Sequence, residues 1–122
     1  MDRPKILVID DSGLLLRNIK AQLDADFDVQ IAVSGVLGIK AFQDAPADLV
    51  LLDYEMPGLN GVETYNFIRN LPCGAKVPII FLTSMDSREI VIEIMKLQPQ
   101  GFLLKPPNTV KLLEAIRNAL RK

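Results

Sequence analysis

Apolar residues along this chain come in two rhythms. Short unbroken runs alternate with stretches in which apolar positions recur every three or four residues. The first run is KILVID (5–10), and GLLLRNIKAQLDA (13–25) follows with Leu16, Ile19 and Leu23 at helical spacing. DVQIAV (28–33) predicts a weaker strand. GVLGIKAFQ (35–43) predicts a helix, although Gly38 inside it costs about 1 kcal/mol relative to alanine. DLVLLD (48–53) is a continuous apolar run, as expected for a strand covered on both faces. The turn-rich MPGLNG (56–61) leads into a helix over VETYNFIRNL (62–71), stopped by Pro72. VPIIFLTS (77–84) is a second buried strand, SREIVIEIMKL (87–97) a helix and GFLLK (101–105) a last short strand. Asn108 is placed to cap TVKLLEAIRNALR, where Leu112, Leu113, Ile116 and Leu120 form one apolar face.

Strand and helix thus alternate five times, which predicts an α/β fold with a parallel sheet and helices on both faces. Ligands of such sheets sit outside the carboxyl ends of the strands, where the strand order switches. The polar residues at those ends are Asp10 with Asp11, Asp53, Thr83 with Ser84, and Lys105.

Composition narrows the chemistry. With 122 residues, 49% of them hydrophobic, the chain matches one domain and buries roughly two-thirds of its unfolded surface. The net charge is −1 and the 14 basic residues are scattered, so no stripe tracks a nucleic-acid backbone. Cys73 is the lone cysteine, and no apolar run approaches a membrane span, so a cytoplasmic setting with no membrane partner is expected. The chain has no histidine. That removes His-ligated zinc and the Ser-His-Asp and Cys-His machineries, leaving carboxylates, hydroxyls and lysine.

Three carboxylates at one sheet edge repel unless they share a cation or hold protons. An all-oxygen set suits Mg²⁺ or Mn²⁺. Asp10 and Asp11 therefore read as metal ligands beside Asp53; the plainer alternative is that they cap the helix starting near Ser12. Lys105 reads as a counter-ion to these acids or as a surface lysine. Thr83 reads as a donor to an anionic oxygen or as a residue that merely favours strands. The step from Asp53 to Glu55 leaves a backbone carbonyl near the cation. A carboxylate beside a divalent ion, an amine and a hydroxyl can accept a phosphoryl group by positioning and electrostatics.

Taken in order, Asp10-Asp11, Arg17, Asp53 followed by MPGLNG, Thr83 after IIFL, and Lys105-Pro106 resemble the response-regulator receiver domain of two-component signalling, over essentially the whole length 1–122. The resemblance implies a CheY-like, doubly wound (βα)5 fold with strand order 2-1-3-4-5. It implies that Asp53 is phosphorylated by the phosphohistidine of a sensor histidine kinase or phosphotransfer protein, with Thr83 and Lys105 assisting. It also implies that Asp11, Asp53 and the Glu55 carbonyl hold Mg²⁺, with Asp10 acting through water. The Lys105–Pro106 peptide is expected to be cis. Thr83 and Phe102 would form the switch, although a phenylalanine has no hydroxyl, so its part rests on packing.

The output face would be the fourth helix, fifth strand and fifth helix, with Ile90, Ile94, Met95 and Phe102 facing a downstream effector, a linked output domain or a second copy. Such a domain catalyses only its own phosphorylation and dephosphorylation. No output segment follows the last helix, so a stand-alone shuttle or a piece of a longer regulator is expected. Three features depart from the usual pattern: Ser84, Gly38, and LQPQGF (97–102) in place of a glycine turn. The competing readings are a dehalogenase-like phosphatase, a flavodoxin-type module and a receiver that signals without phosphate. The first lacks its Asp-x-Asp, since Ser12 stands two residues after Asp10, and the second shows no G-x-G-x-x-G.

Overall fold

Every apolar run becomes a strand, and all five strands lie parallel. The computed structural model describes residues 3–84 and 87–121. Its elements are β1 (Lys5–Ile9), α1 (Gly13–Leu23), β2 (Asp28–Ala32), α2 (Gly35–Asp44), β3 (Leu49–Asp53), α3 (Gly61–Asn70), β4 (Ile79–Thr83), α4 (Arg88–Lys96), β5 (Gly101–Leu104) and α5 (Thr109–Leu120). A short 3-10 turn, Pro72–Gly74, follows α3. The sheet order is β2-β1-β3-β4-β5, the expected 2-1-3-4-5 arrangement. β4 starts at Ile79, two residues later than the apolar run, after Pro78, whose nitrogen has no hydrogen to donate.

Each helix begins on a side chain that accepts a backbone N–H. Ser12, Ser34, Asn60, Ser87 and Asn108 serve α1 to α5 in turn. Asn60 and Glu63 form a reciprocal capping box. Such a cap contributes roughly 0.5–2 kcal/mol over alanine.

The sheet splits the core in two. Ile6, Val8, Leu49, Leu51, Ile80 and Leu82 face α1 and α5, meeting Leu16, Ile19, Leu112 and Ile116. Leu7, Ile9, Val50, Leu52, Ile79 and Phe81 face Phe42, Ile68 and Ile94 on the other side. Gly38 has a packing reason: a Cβ there would stand 2.4 Å from Ile9 Cδ1, so α2 can lie this close to β1 only with glycine. At the end of α4, Gln98 adopts φ 54, the left-handed position that glycine usually takes.

One expected surface residue moves to the interior. Ile94 is fully buried in the core beneath α4 and is not part of an exposed partner face. Its place in the helix turns it toward the sheet, while Met95 next to it is 53% exposed and Ile92 46%. Ile90 and Phe102 are half-buried against the same core.

Candidate functional site

β1 and β3 are neighbours at the point where the strand order reverses, and each leads into an aspartate at the same edge. Asp10 follows Ile9 and is fully buried. Its N–H donates to the Ala32 carbonyl at 3.1 Å, and its Oδ1 accepts from the Ser12 N–H at 2.9 Å. Ser12, not an aspartate, caps α1 by accepting from Leu15, which leaves the two acids to face the pocket. Asp53 is the last residue of β3 and 1% exposed. Asp11 is exposed at the rim. One carboxylate oxygen from each of Asp10, Asp11 and Asp53 lies within 4.8 Å of the others. Behind them the backbone is tightly packed: a Cβ on Gly61 would meet the Asp53 carbonyl at 2.4 Å.

Lys105 completes the charge balance. Its Nζ is 2.7 Å from Asp10 Oδ2 and 2.9 Å from Asp53 Oδ1. The Glu55 N–H also donates to Asp53 Oδ1, at 3.1 Å. Asp53 Oδ2 is buried and accepts no hydrogen bond from any described residue. Burial pushes the Asp53 carboxyl up from 3.8 to about 7, with Asp10 adding to the rise and Lys105 and the Glu55 N–H opposing it. Burial alone would lower the Lys105 ammonium, but its bonds to Asp10 and Asp53 outweigh this and hold it above its ordinary value. Once Asp53 is ionised, two buried acids with one cation leave negative charge in excess. All-oxygen donors, one of them unpartnered, fit a small divalent ion.

Thr83 ends β4, 1% exposed and paired in register with Leu104. Its carbonyl accepts from the Lys105 N–H at 2.8 Å, tying the hydroxyl-bearing strand end to the lysine. The Lys105–Pro106 peptide is cis. Among the residues named from the sequence, Asp10, Asp11, Asp53 and Lys105 come together, with Glu55 two residues past the end of β3 and Thr83 at the end of the neighbouring β4. Arg17 and Ser84 are exposed, and Phe102 lies farther down β5, half-buried. Sequence reasoning missed Tyr54. Its hydroxyl donates to the Glu93 carboxylate across to α4, and burial together with Glu93 pushes it up to about 12. Its position directly after Asp53 was the available signal.

Comparison with known proteins decides among the readings of this pocket. A family model described as the response regulator receiver domain matches residues 6–117. The chain belongs to that family. Its fold agrees with that of CheY4, a chemotaxis protein of Vibrio cholerae, at TM-score 0.90 and 29% identity, covering 97% of this chain and 99% of the other. A receiver domain protein from Clostridium thermocellum is 33% identical at TM-score 0.86, covering 96% and 94%. Among curated proteins, a protein-glutamate methylesterase/protein-glutamine glutaminase of Myxococcus xanthus is 36% identical over 116 residues, 92% of this chain and 33% of that protein. A nitrate/nitrite response regulator homolog of Haemophilus influenzae is 34% identical over 119 residues, 95% of this chain and 56% of its own length. This receiver therefore spans a third to just over half of those two relatives. Membership selects the receiver reading over the phosphatase and flavodoxin ones. Among the described residues, no helix is long and apolar enough to cross a membrane.

Proposed function

We propose that this receiver accepts a phosphoryl group on Asp53, in a reaction requiring Mg²⁺ or Mn²⁺, from a sensor histidine kinase or histidine-containing phosphotransfer protein. The observation that carries this reading is the asymmetry of Asp53. One oxygen is held by Lys105 and the Glu55 N–H, while the other is buried and unpartnered beside Asp10 and Asp11. A carboxylate oxygen of Asp53 bonds to phosphorus as the donor's phosphorus–nitrogen bond breaks, and the electron pair of that bond stays on the imidazole. Lys105 faces the incoming negative charge, and the Thr83 hydroxyl donates to a phosphoryl oxygen. Asp10, Asp11, Asp53 and the Glu55 carbonyl would hold the cation, which when bound supplies positive charge to the transferring oxygens. With these groups prearranged, catalysis is positioning and electrostatics, and the domain needs no histidine of its own.

The phosphorylated form then presents α4, β5 and α5 to its output, either an effector protein or an output domain in the same polypeptide. Exposed Met95, Ile92 and Leu104 supply apolar contacts there, with half-buried Ile90 and Phe102 behind them, and α4 is the element through which two copies would pair. Residues 1–122 act as one receiver unit, and the cytoplasm is its compartment, in keeping with the single cysteine.

Acetyl phosphate with Mg²⁺ tests the chemistry. Intact mass should rise by one phosphate in the wild type and not in Asp53→Asn. A gain in both proteins moves the acceptor elsewhere. No gain in either, with acetyl phosphate or a phosphohistidine donor, makes this a receiver that signals without phosphate.

A further inference from the structure

The helix that a phosphoryl group on Asp53 must influence is fastened to the body by two tyrosine hydroxyls. α4 fully buries Ile94 alone. Tyr54, directly after Asp53, donates to a carboxylate oxygen of Glu93 midway along α4. Tyr65 on α3 donates to the Leu97 carbonyl at the end of α4, at 2.8 Å. Both rings rest on Phe81 of β4. Tyr65 is stacked on it with centroids 5.5 Å apart, and Tyr54 meets it edge-on at 6.0 Å. Phe81 lies two residues before Thr83, so the two side chains leave β4 on the same face.

The two ties differ in footing. Tyr65 is braced: Arg69 Nε donates to its hydroxyl at 3.3 Å, and the guanidinium lies 5.0 Å above its ring. Arg69 is in turn anchored on the carbonyls of Gly74 and Val77, at 2.9 and 2.6 Å. Among the described residues, Tyr54 has no such brace. It is half-buried and, with Glu93, lines an open cleft of about 410 Å³ between the β3–α3 connection and α4. The cleft leaves room to move at the Glu93 end, while the Leu97 end is held by the braced Tyr65. On β5, Phe102 carries no hydroxyl with which to make an equivalent bond.

We propose that Tyr54 and Tyr65 clasp α4 in its unphosphorylated position, with the Leu97 tie acting as pivot and the Tyr54–Glu93 tie as the releasable catch. This rests on the reading of Asp53 as acceptor. When Thr83 is drawn toward new phosphoryl oxygens, the end of β4 moves relative to β3. Tyr54 is fixed to β3 and Glu93 is carried by the helix that follows β4, so the catch is the contact that opens. A bond present in one of two states biases the equilibrium against the other, so removing it favours the phosphoryl-bound state.

Tyr54→Phe keeps the ring on Phe81 and removes only the hydroxyl. Glu93→Ala removes the acceptor, and Glu93→Gln retains one. Without any phosphoryl group, amide hydrogen exchange across 88–97 should quicken about 3- to 10-fold in Tyr54→Phe and Glu93→Ala, the effect of one net hydrogen bond, and stay near wild type in Glu93→Gln. Exchange in α1 should not change. Beryllium fluoride with Mg²⁺ should bind Tyr54→Phe tighter by a similar factor, and combining Tyr54→Phe with Glu93→Ala should add little. Unchanged exchange in α4 overturns the clasp. Faster exchange with unaltered beryllium fluoride affinity overturns its regulatory role. A wild type that binds no beryllium fluoride instead removes the acceptor reading on which the proposal stands, a result distinct from both.

Discussion

β3 and β4 are buried at every residue, whereas β5 is half-exposed along most of its length and α4 fully buries only Ile94. Yet the α4 segment is as rich in isoleucine, valine and methionine as a core strand. The difference is one of cover. The central strands have helices on both faces, and burying each large aliphatic side chain there stabilises the fold by roughly 1.5–3 kcal/mol. α4 lies on the flank with only one face covered. The aspartate cluster proposed to accept a phosphoryl group therefore rides on the rigid centre, and the surface proposed to respond to it is the part held least. A site has to keep its geometry while a switch has to change, and the sheet separates the two tasks over two strands.

Substitutions should separate these regions by size of effect. Leu51→Ala, in the middle of β3, should cost about 2–5 kcal/mol by urea denaturation, while Met95→Ala on α4 should stay within about 0.5 kcal/mol. Comparable losses would abolish the contrast.

The second effect belongs to the pocket. The folded Asp53 carboxyl holds its proton up to about 7 against 3.8 for the ordinary group, so the folded state binds more protons across that window. In the absence of divalent ions, its contribution to stability therefore falls as pH rises from about 4 to about 7. Asp53→Asn should relieve this by on the order of 2–3 kcal/mol at pH 8 and by little near pH 4, read from urea midpoints at both. An equal gain at both pH values would mean that burial of the charge is not the cause.

Gly38→Ala probes the centre again. Helix propensity alone would reward alanine by about 1 kcal/mol, but contact with Ile9 should make the change destabilising by roughly 1–3 kcal/mol. The smallest effect lies at the loose flank. Gln98→Gly should relax the left-handed turn and stabilise by under about 1 kcal/mol, with the activation chemistry unchanged.

The strands were legible because a strand covered on both faces must be apolar without interruption, and LVLLD and IIFLT are. The acids were legible because charge at the end of such a run needs a reason. Gly38 misled as a weak helix former, since nothing local reports that Ile9, far back in the chain, lies 2.4 Å from its missing Cβ. Ile94 misled as a surface residue because its neighbours are equally apolar. Which of them turns inward depends on the angle at which the helix meets the sheet.

The order of runs and breaks along the polypeptide was enough to specify five strand-helix units and the residue types at their ends, because hydrophobic period and chain chirality act locally. Tertiary structure alone decided which oxygen of Asp53 is engaged by Lys105 and which is left unpartnered. It alone brought Tyr54 and Tyr65 onto one ring of β4, with α4 in reach of both hydroxyls. Hydrogen bonds between residues 32 and 39 positions apart depend on the packing of whole elements, and no sequence period records them.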